Sequence, residues 1–455
     1  MLGNALQLRG DTLHQQLEGW AREHGPVYRW SVMGRQFLTV TDHKVIASLL
    51  KDRPDGFNRP SRAAQISAEM GLDPGVFRAN GEHWQRQRRL VMSGLDPTRV
   101  KAYLPSMERV ANRLLRRWEA AAANASKIDL QADLMRYTVD TIAGLAFGSD
   151  VNTLGSQGEV IQDHLDKIFP AMRRRLTTLF PYWRYFKRQR DREMEQSVGE
   201  VNVAIARFIA QARAQLAETP QLRERPANLL QSMIVAAEDG SLGISDREVA
   251  GNVLTMLLAG EDTTANSLAW MIDLLWRNPQ ALARTRDEIR ALVPPGRVFR
   301  LDAERLPATP WLDACIQEAM RLKPVAPFIP VESNRAMTVA GVEIPARTQV
   351  FCLLRHDTLK EPLFQDADAF RPLRWIDGEV EAAGVARVSM PFGGGARICP
   401  GRYLALLEMR IAMMVLLGYF DIEDVSTPDG APPAEIFNVT MAPVGLRMRL
   451  KDRPT

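Results

Sequence analysis

Only three cysteines, Cys315, Cys352 and Cys399, occur in the 455 residues. A count so sparse and odd excludes a disulfide framework and fits a reducing compartment. A strong charge of either sign is missing too. The chain sets 58 Lys+Arg against 54 Asp+Glu, a net of +4, which does not mark a nucleic-acid binder and leaves any charged partner to a local patch. No apolar run reaches membrane-spanning length, and the polar, mixed-charge stretch Met1–Trp20 does not read as a signal peptide. The expectation is a cytoplasmic protein with no transmembrane segment. What the chain does have is 46% hydrophobic residues, enough for a large buried core.

Most of the sequence has helical spacing. Leu13–His24 reads as a helix that stops at Gly25-Pro26. Val27–Val32 and Gln36–Val40, joined through Gly34, read as a β-hairpin. Helices are expected at Leu104–Ala123, Leu130–Phe147, Gln157–Phe169, Asp191–Leu216 and Ser245–Arg277. The last contains no Pro and would be about 50 Å long, so it must cross the middle of the molecule. After Leu322 come Pro324, Pro327 and Pro330, then strand-like pieces at Met337–Ile344 and Thr348–Leu354. Irregular chain follows from Glu361 to Pro400, then a helix at Arg402–Leu417. The alternating tail Ile436–Leu450 reads as a terminal hairpin. Together these give one mainly α domain over residues 1–455. Its β-rich portion lies mainly at 25–60, 324–355 and 436–450, and its helical portion mainly at 81–322 and 402–417. Met172–Arg192 interleaves eight cations with Phe180, Tyr182, Trp183, Tyr185 and Phe186. This stretch is either a partly apolar entrance or membrane-surface contact, or a solvated helix pair with its aromatics tucked inward.

The strongest local signal is Pro391-Phe392-Gly393-Gly394-Gly395-Ala396-Arg397-Ile398-Cys399-Pro400-Gly401. A lone Cys is usually a small buried hydrophobe. Here it is framed by glycines, which let backbone approach a flat cofactor and take positive φ. A helix begins just after it, and its N-terminus favours a thiolate. Arg397 could pair with a cofactor carboxylate.

This segment resembles the F-x-x-G-x-R-x-C-x-G pattern of the cytochrome P450 superfamily at every fixed position: Phe392, Gly395, Arg397, Cys399 and Gly401. The resemblance implies a mainly α cytochrome P450 fold with a long central helix. It implies a b-type haem whose iron takes the Cys399 thiolate as axial ligand, with Arg397 on a propionate. Trp84 and Arg88, four apart on an expected helix, resemble the motif that binds the other propionate. The usual additional propionate contact after the next motif falls on Val331, a departure from the family. Glu318-Ala319-Met320-Arg321 resembles the E-x-x-R motif, and Phe370–Trp375 its partner element. By that resemblance Glu318, Arg321 and Arg374 form a buried brace for the thiolate loop. His83 and His356 lie near these motifs and are expected to hydrogen-bond and not to ligate. Arg86, Arg89, Lys101, Arg402 and Arg410 make either a docking face for an acidic electron donor or a generic basic surface.

Ala259-Gly260-Glu261-Asp262-Thr263-Thr264 sits in the middle of the long helix. A Thr hydroxyl there can bond back to a carbonyl one turn earlier and open a groove. The segment resembles the family's oxygen-activation motif. Thr263 would then hydrogen-bond the dioxygen, and Asp262 would feed protons toward it. Resemblance places Phe77, Ala259, Val325, Ala326, Phe328, Ile329, Asn438 and Val439 around a lipophilic substrate, and offers Arg35 as a position that meets a substrate carboxylate in some relatives. The implied activity is monooxygenation. Electrons would come from a ferredoxin or flavodoxin with an NAD(P)H-dependent reductase, since the sequence carries no G-x-G-x-x-G fingerprint. The competing readings are a peroxide-dependent peroxygenase or isomerase and a non-catalytic haem sensor. The proline after Cys399 carries no N–H, which removes one possible donor to the sulfur.

Overall fold

The computed structural model describes residues 2–453, apart from 74, 96, 157–160, 179, 241–242, 295, 302–308, 362, 383 and 385–386. Its axis is the helix Asp246–Arg277, 32 residues long, which at 1.5 Å per residue spans about 48 Å. Ser245 and Glu248 start it with a reciprocal capping box, and Asn278-Pro279 ends it. Of its 32 residues 22 are buried, as a helix through the centre requires. The helix Leu130–Phe147 lies along it. Gly260 permits that approach, because a Cβ there would stand 3.1 Å from Ile142, and the Thr138 hydroxyl donates to the Glu261 carbonyl at 2.9 Å.

Five strands form one sheet in the order Val27–Val32, Arg35–Val40, Gln349–Leu353, Phe328–Ser333 and Phe57–Asn58. The Arg35–Val40 and Gln349–Leu353 pair is parallel and the others are antiparallel. The N-terminal hairpin and the helices Leu13–His24, Leu104–Ala123 and Leu130–Phe147 match the sequence expectation to the residue or nearly so.

Three expectations need correction. The tail is not one hairpin. Glu435–Phe437 pairs with Met441–Pro443, but Arg447–Asp452 leaves to join Phe420–Ser426 and Ile128–Asp129 in a separate three-stranded sheet. Alternation alone does not say which neighbour a strand takes. The expected helix Gln157–Phe169 is instead Ile161–Leu165 followed by Ile168–Thr177, with 157–160 outside the described residues. In the basic–aromatic stretch neither reading holds whole: Tyr182 and Trp183 are tucked in, whereas Phe180, Tyr185 and Phe186 are exposed. Among the described residues, no helix is long and apolar enough to cross a membrane.

Candidate functional site

Of the three cysteines, Cys315 and Cys352 are buried and Cys399 is only partly covered. Burial pushes the Cys315 and Cys352 thiols to about 12, which leaves them inert. Burial also raises Cys399, but the Gly401 N–H and the charges of Arg88 and Arg402 oppose it. Cys399 sits just ahead of the helix Arg402–Tyr419, and its N–H donates to the Phe392 carbonyl at 2.9 Å. Gly395, at φ 64°, passes so close to Leu50 that a Cβ would stand 2.0 Å from its carbonyl oxygen. The glycines thus let the loop fold back tightly against the helix His43–Lys51.

Glu318, Arg321 and Arg374 form one buried network. Arg321 holds both oxygens of Glu318 at 2.8 Å. Arg374 adds a contact at 3.1 Å, the Trp375 indole one at 2.9 Å and the Arg371 N–H one at 2.9 Å. Glu318, Arg321 and Arg374 have no exposed surface. Arg321 also donates to the carbonyls of Thr358, Ala367 and Ala369, so the brace fixes the irregular chain that precedes the thiolate loop.

In front of the loop lies a nest of cations. Arg397 donates to the Ala79 carbonyl at 2.8 Å and to Asn80 Oδ1 at 2.9 Å, and its guanidinium lies 4.3 Å over the Trp84 ring. Arg88 donates to the Ile398 carbonyl. Sequence reasoning missed two further members. Arg53 donates to the Gly394 carbonyl at 2.7 Å. Arg59 lies 4.0 Å over the Phe77 ring, and its backbone N–H reaches the same Asn80 Oδ1 at 3.1 Å. Burial lowers Arg59 to about 9, and Arg53 and Arg397 to about 10, and their mutual repulsion adds to it. The Nε atoms of Arg59 and Arg397 are buried with no hydrogen-bond partner among the described residues. Like charges gathered with no carboxylate paired to them among the described residues, and with donors left over, fit a bound dianion. A planar cofactor with two carboxylates beside a thiolate satisfies that donor set. No sequence motif marks Arg59.

Midway along the buried central helix the pattern breaks: Ala259 is exposed, and Asp262 and Thr263 are partly so. Thr263 Oγ1 bonds back to the Ala259 carbonyl at 2.8 Å, as expected. Asp262 accepts from Asn266 at 2.7 Å and from the Thr440 hydroxyl. Burial raises Asp262 to about 6 against those two bonds. Glu261 points elsewhere. It is 2% exposed, and burial and the neighbouring Asp166 carboxyl raise it well above the usual range.

The expected pocket residues divide. Ile329 approaches the thiolate loop, with its Cδ1 3.3 Å from where a Gly393 Cβ would be. Phe77 is exposed beside Arg59. Val325 accepts from the Met441 N–H, and Val439 packs on the main core. Phe328 is a correction. Its ring packs among Phe351 and Phe437 beneath the N-terminal helix, because strand alternation turns it to the face opposite Ile329. Val331, where the resemblance led to an expected propionate contact, is buried in the sheet core. His83 bonds Glu248 and His356 bonds Asp357, each at 3.3 Å. Of the basic face, Arg410 is tied to Asp313 at 2.5 Å and Arg86 to His83 at 3.1 Å.

A sequence model described as Cytochrome P450 matches residues 1–448. Among curated proteins, the chain is 26% identical over 476 residues to Cytochrome P450 97B2, chloroplastic, of Glycine max, covering 94% of this chain and 81% of that protein. It is 26% identical over 437 residues to Cytochrome P450 71A1 of Persea americana, covering 92% and 85%. It is 25% identical over 434 residues to a self-sufficient cytochrome P450 monooxygenase of Phanerodontia chrysosporium, covering 92% of this chain and 39% of that protein.

Proposed function

This chain belongs to the cytochrome P450 family and is a haem-thiolate monooxygenase; we propose that it inserts one oxygen atom of O2 into a lipophilic organic substrate by hydroxylation or epoxidation. The cofactor is b-type haem. Cys399 would hold its iron, and Arg397, Arg88, Trp84, Arg59 and Arg53 would hold or neutralise its carboxylates. Bound there, the haem supplies the activation of O2. The chain supplies the rest. Gly401 offers its N–H to the sulfur, and the brace of Glu318, Arg321 and Arg374 fixes the loop. Thr263 lines the distal side, with Asp262 behind it as the proton source.

The observation that carries this reading is Asp262 beside Thr263 on the exposed break of the central helix. A carboxyl raised to about 6 can both give and regain a proton near neutral pH. A non-catalytic haem sensor has no use for such a pair, and an enzyme that starts from peroxide depends on it less than one that must protonate reduced O2. Phe77, Ala259, Val325, Ala326, Ile329, Asn438 and Val439 supply mostly apolar surface for the substrate. Electrons come from a ferredoxin or flavodoxin and its NAD(P)H-dependent reductase, and the protein works in the cytoplasm.

The test supplies the holoprotein with a ferredoxin, its reductase, NAD(P)H and a panel of lipophilic compounds, in parallel with hydrogen peroxide alone. Product that depends on NAD(P)H is the expected result. Product with peroxide only, or no product from any donor, would overturn it. Cys399→Ala should abolish the thiolate-type ferrous–CO absorption band.

A further inference from the structure

Three irregularities meet at the turn between Glu435–Phe437 and Met441–Pro443. Val439 has φ 79°, a conformation that a β-branched side chain adopts only under strain. Asn438 Oδ1 is buried with no hydrogen-bond partner among the described residues. Thr440, 7% exposed, donates its hydroxyl to Asp262 on the central helix.

The strain is maintained because both flanks of the turn are fixed. On one side Glu435 accepts from His14 at 2.9 Å, Gln15 at 3.1 Å, Lys323 at 2.6 Å and Arg355 at 2.8 Å. On the other, the Met441 N–H donates to the Val325 carbonyl at 2.8 Å, and the Met441 carbonyl accepts from the Trp270 indole at 3.2 Å. Between them the tip, Asn438–Thr440, is closed by the Asn438 N–H, which donates to the Thr440 carbonyl at 2.8 Å. It has a strained residue that could relax and an acceptor in want of a donor. Strain of this kind clusters at active sites and switch regions.

We propose that Thr440 is a positioning residue for proton delivery: it holds the Asp262 carboxyl against the hairpin, and a substrate seated beside the Asn438–Val439 tip releases that carboxyl toward Thr263. The inference rests on the reading of Asp262 as proton source and of the tip as pocket wall. It makes proton delivery depend on occupancy, which protects the empty site from wasteful reduction of O2. The titratable groups whose charges act on Asp262 are Glu261 and Asp166, both carboxyls, and among the described residues no cation duplicates the hold of Thr440 and Asn266.

The test uses the full-length holoprotein as parent, Thr440→Val, Thr440→Ser, Asp262→Ala and the Thr440→Val/Asp262→Ala double variant. Melting temperatures at pH 8 give a double-mutant cycle. The two losses should be strongly non-additive at pH 8, where Asp262 is charged, and closer to additive at pH 5. With a ferredoxin, its reductase and NADPH but no substrate, Thr440→Val should release hydrogen peroxide severalfold faster than the parent. Thr440→Ser, which keeps the hydroxyl, should match the parent. Additive melting losses, or parent-like peroxide release from Thr440→Val, would overturn the proposal. If Thr440→Val fails to retain haem, Thr440→Ala is read in the same way. Should Asp262→Ala show the parent's pH profile of turnover, the assignment of Asp262 itself falls. Should only Thr440→Val behave as the parent, that assignment stands and this inference alone is lost.

Discussion

Arg321 grips both carboxylate oxygens of Glu318 at 2.8 Å, with neither side chain exposed. Removing one partner strands a charge in the core, so Glu318→Gln or Arg321→Ala should cost roughly 3–5 kcal/mol. Burial pushes the Glu318 carboxyl up. The hydrogen bonds and charge of Arg321, with the Arg371 N–H and the Trp375 indole, more than reverse this and leave it below its ordinary value. Its contribution is therefore complete above the unfolded carboxyl's pKa and is lost as pH falls through the lower folded value. Denaturant titrations of parent and Glu318→Gln should draw together as pH falls below the unfolded carboxyl's value of about 4.3, and purified Glu318→Gln should carry less haem than the parent. Equal haem content and equal stability at pH 7 would remove the brace from the account.

The brace was legible because E-x-x-R places two side chains on one helix face, and the thiolate loop because its glycines and Arg397 surround a cysteine. The long helix was legible from its uninterrupted apolar spacing. What escaped are pairings set by the fold and not by local spacing. Thr440 and Asp262 are 178 residues apart, and nothing in either segment names the other. Arg59 joins the cation nest through Asn80, in a connection that carries no sequence motif. Phe328 was misplaced because an apolar residue in a strand reads alike on either face. The tail was misread because alternation fixes a strand's faces and leaves its partner open.

Gly395 is where the loop tolerates no side chain. Its φ is 64°, and a Cβ would meet the Leu50 carbonyl oxygen at 2.0 Å, with backbone on both sides of the clash. Gly395→Ala must move the loop, and with it Arg397 and the hydrogen bond from Cys399 N–H to Phe392. A lower haem content and a shift of the ferrous–CO band away from its thiolate position are expected. An unchanged spectrum would mean that the loop is looser than its geometry implies.

Pro400 follows Cys399 and cannot donate to the sulfur, which leaves the Gly401 N–H as the backbone donor there. Each hydrogen bond to an axial thiolate draws electron density from it and raises the metal's potential. Pro400→Leu restores an N–H at that position. Its ferric–ferrous midpoint potential, measured by spectroelectrochemistry without substrate, should lie above that of the parent. An unchanged or lower value would show that the restored N–H does not reach the sulfur.

Arg59 offers a test in which stability and cofactor retention move in opposite directions. Without an anion, its buried guanidinium is repelled by Arg397 and Arg53, and its Nε has no partner among the described residues. Arg59→Leu relieves that repulsion and should stabilise the haem-free chain. With the cofactor bound, the same substitution removes a charge-assisted hydrogen bond to a carboxylate, worth about 1.5–3 kcal/mol, so haem should pass to apomyoglobin about tenfold faster or more. Arg59→Lys keeps the charge and should fall between Arg59→Leu and the parent, because an ammonium lacks the planar fork. A residue that merely filled space would destabilise both forms when removed. Parallel losses in the haem-free and haem-bound proteins would therefore assign Arg59 to packing, and opposite signs would assign it to the cofactor.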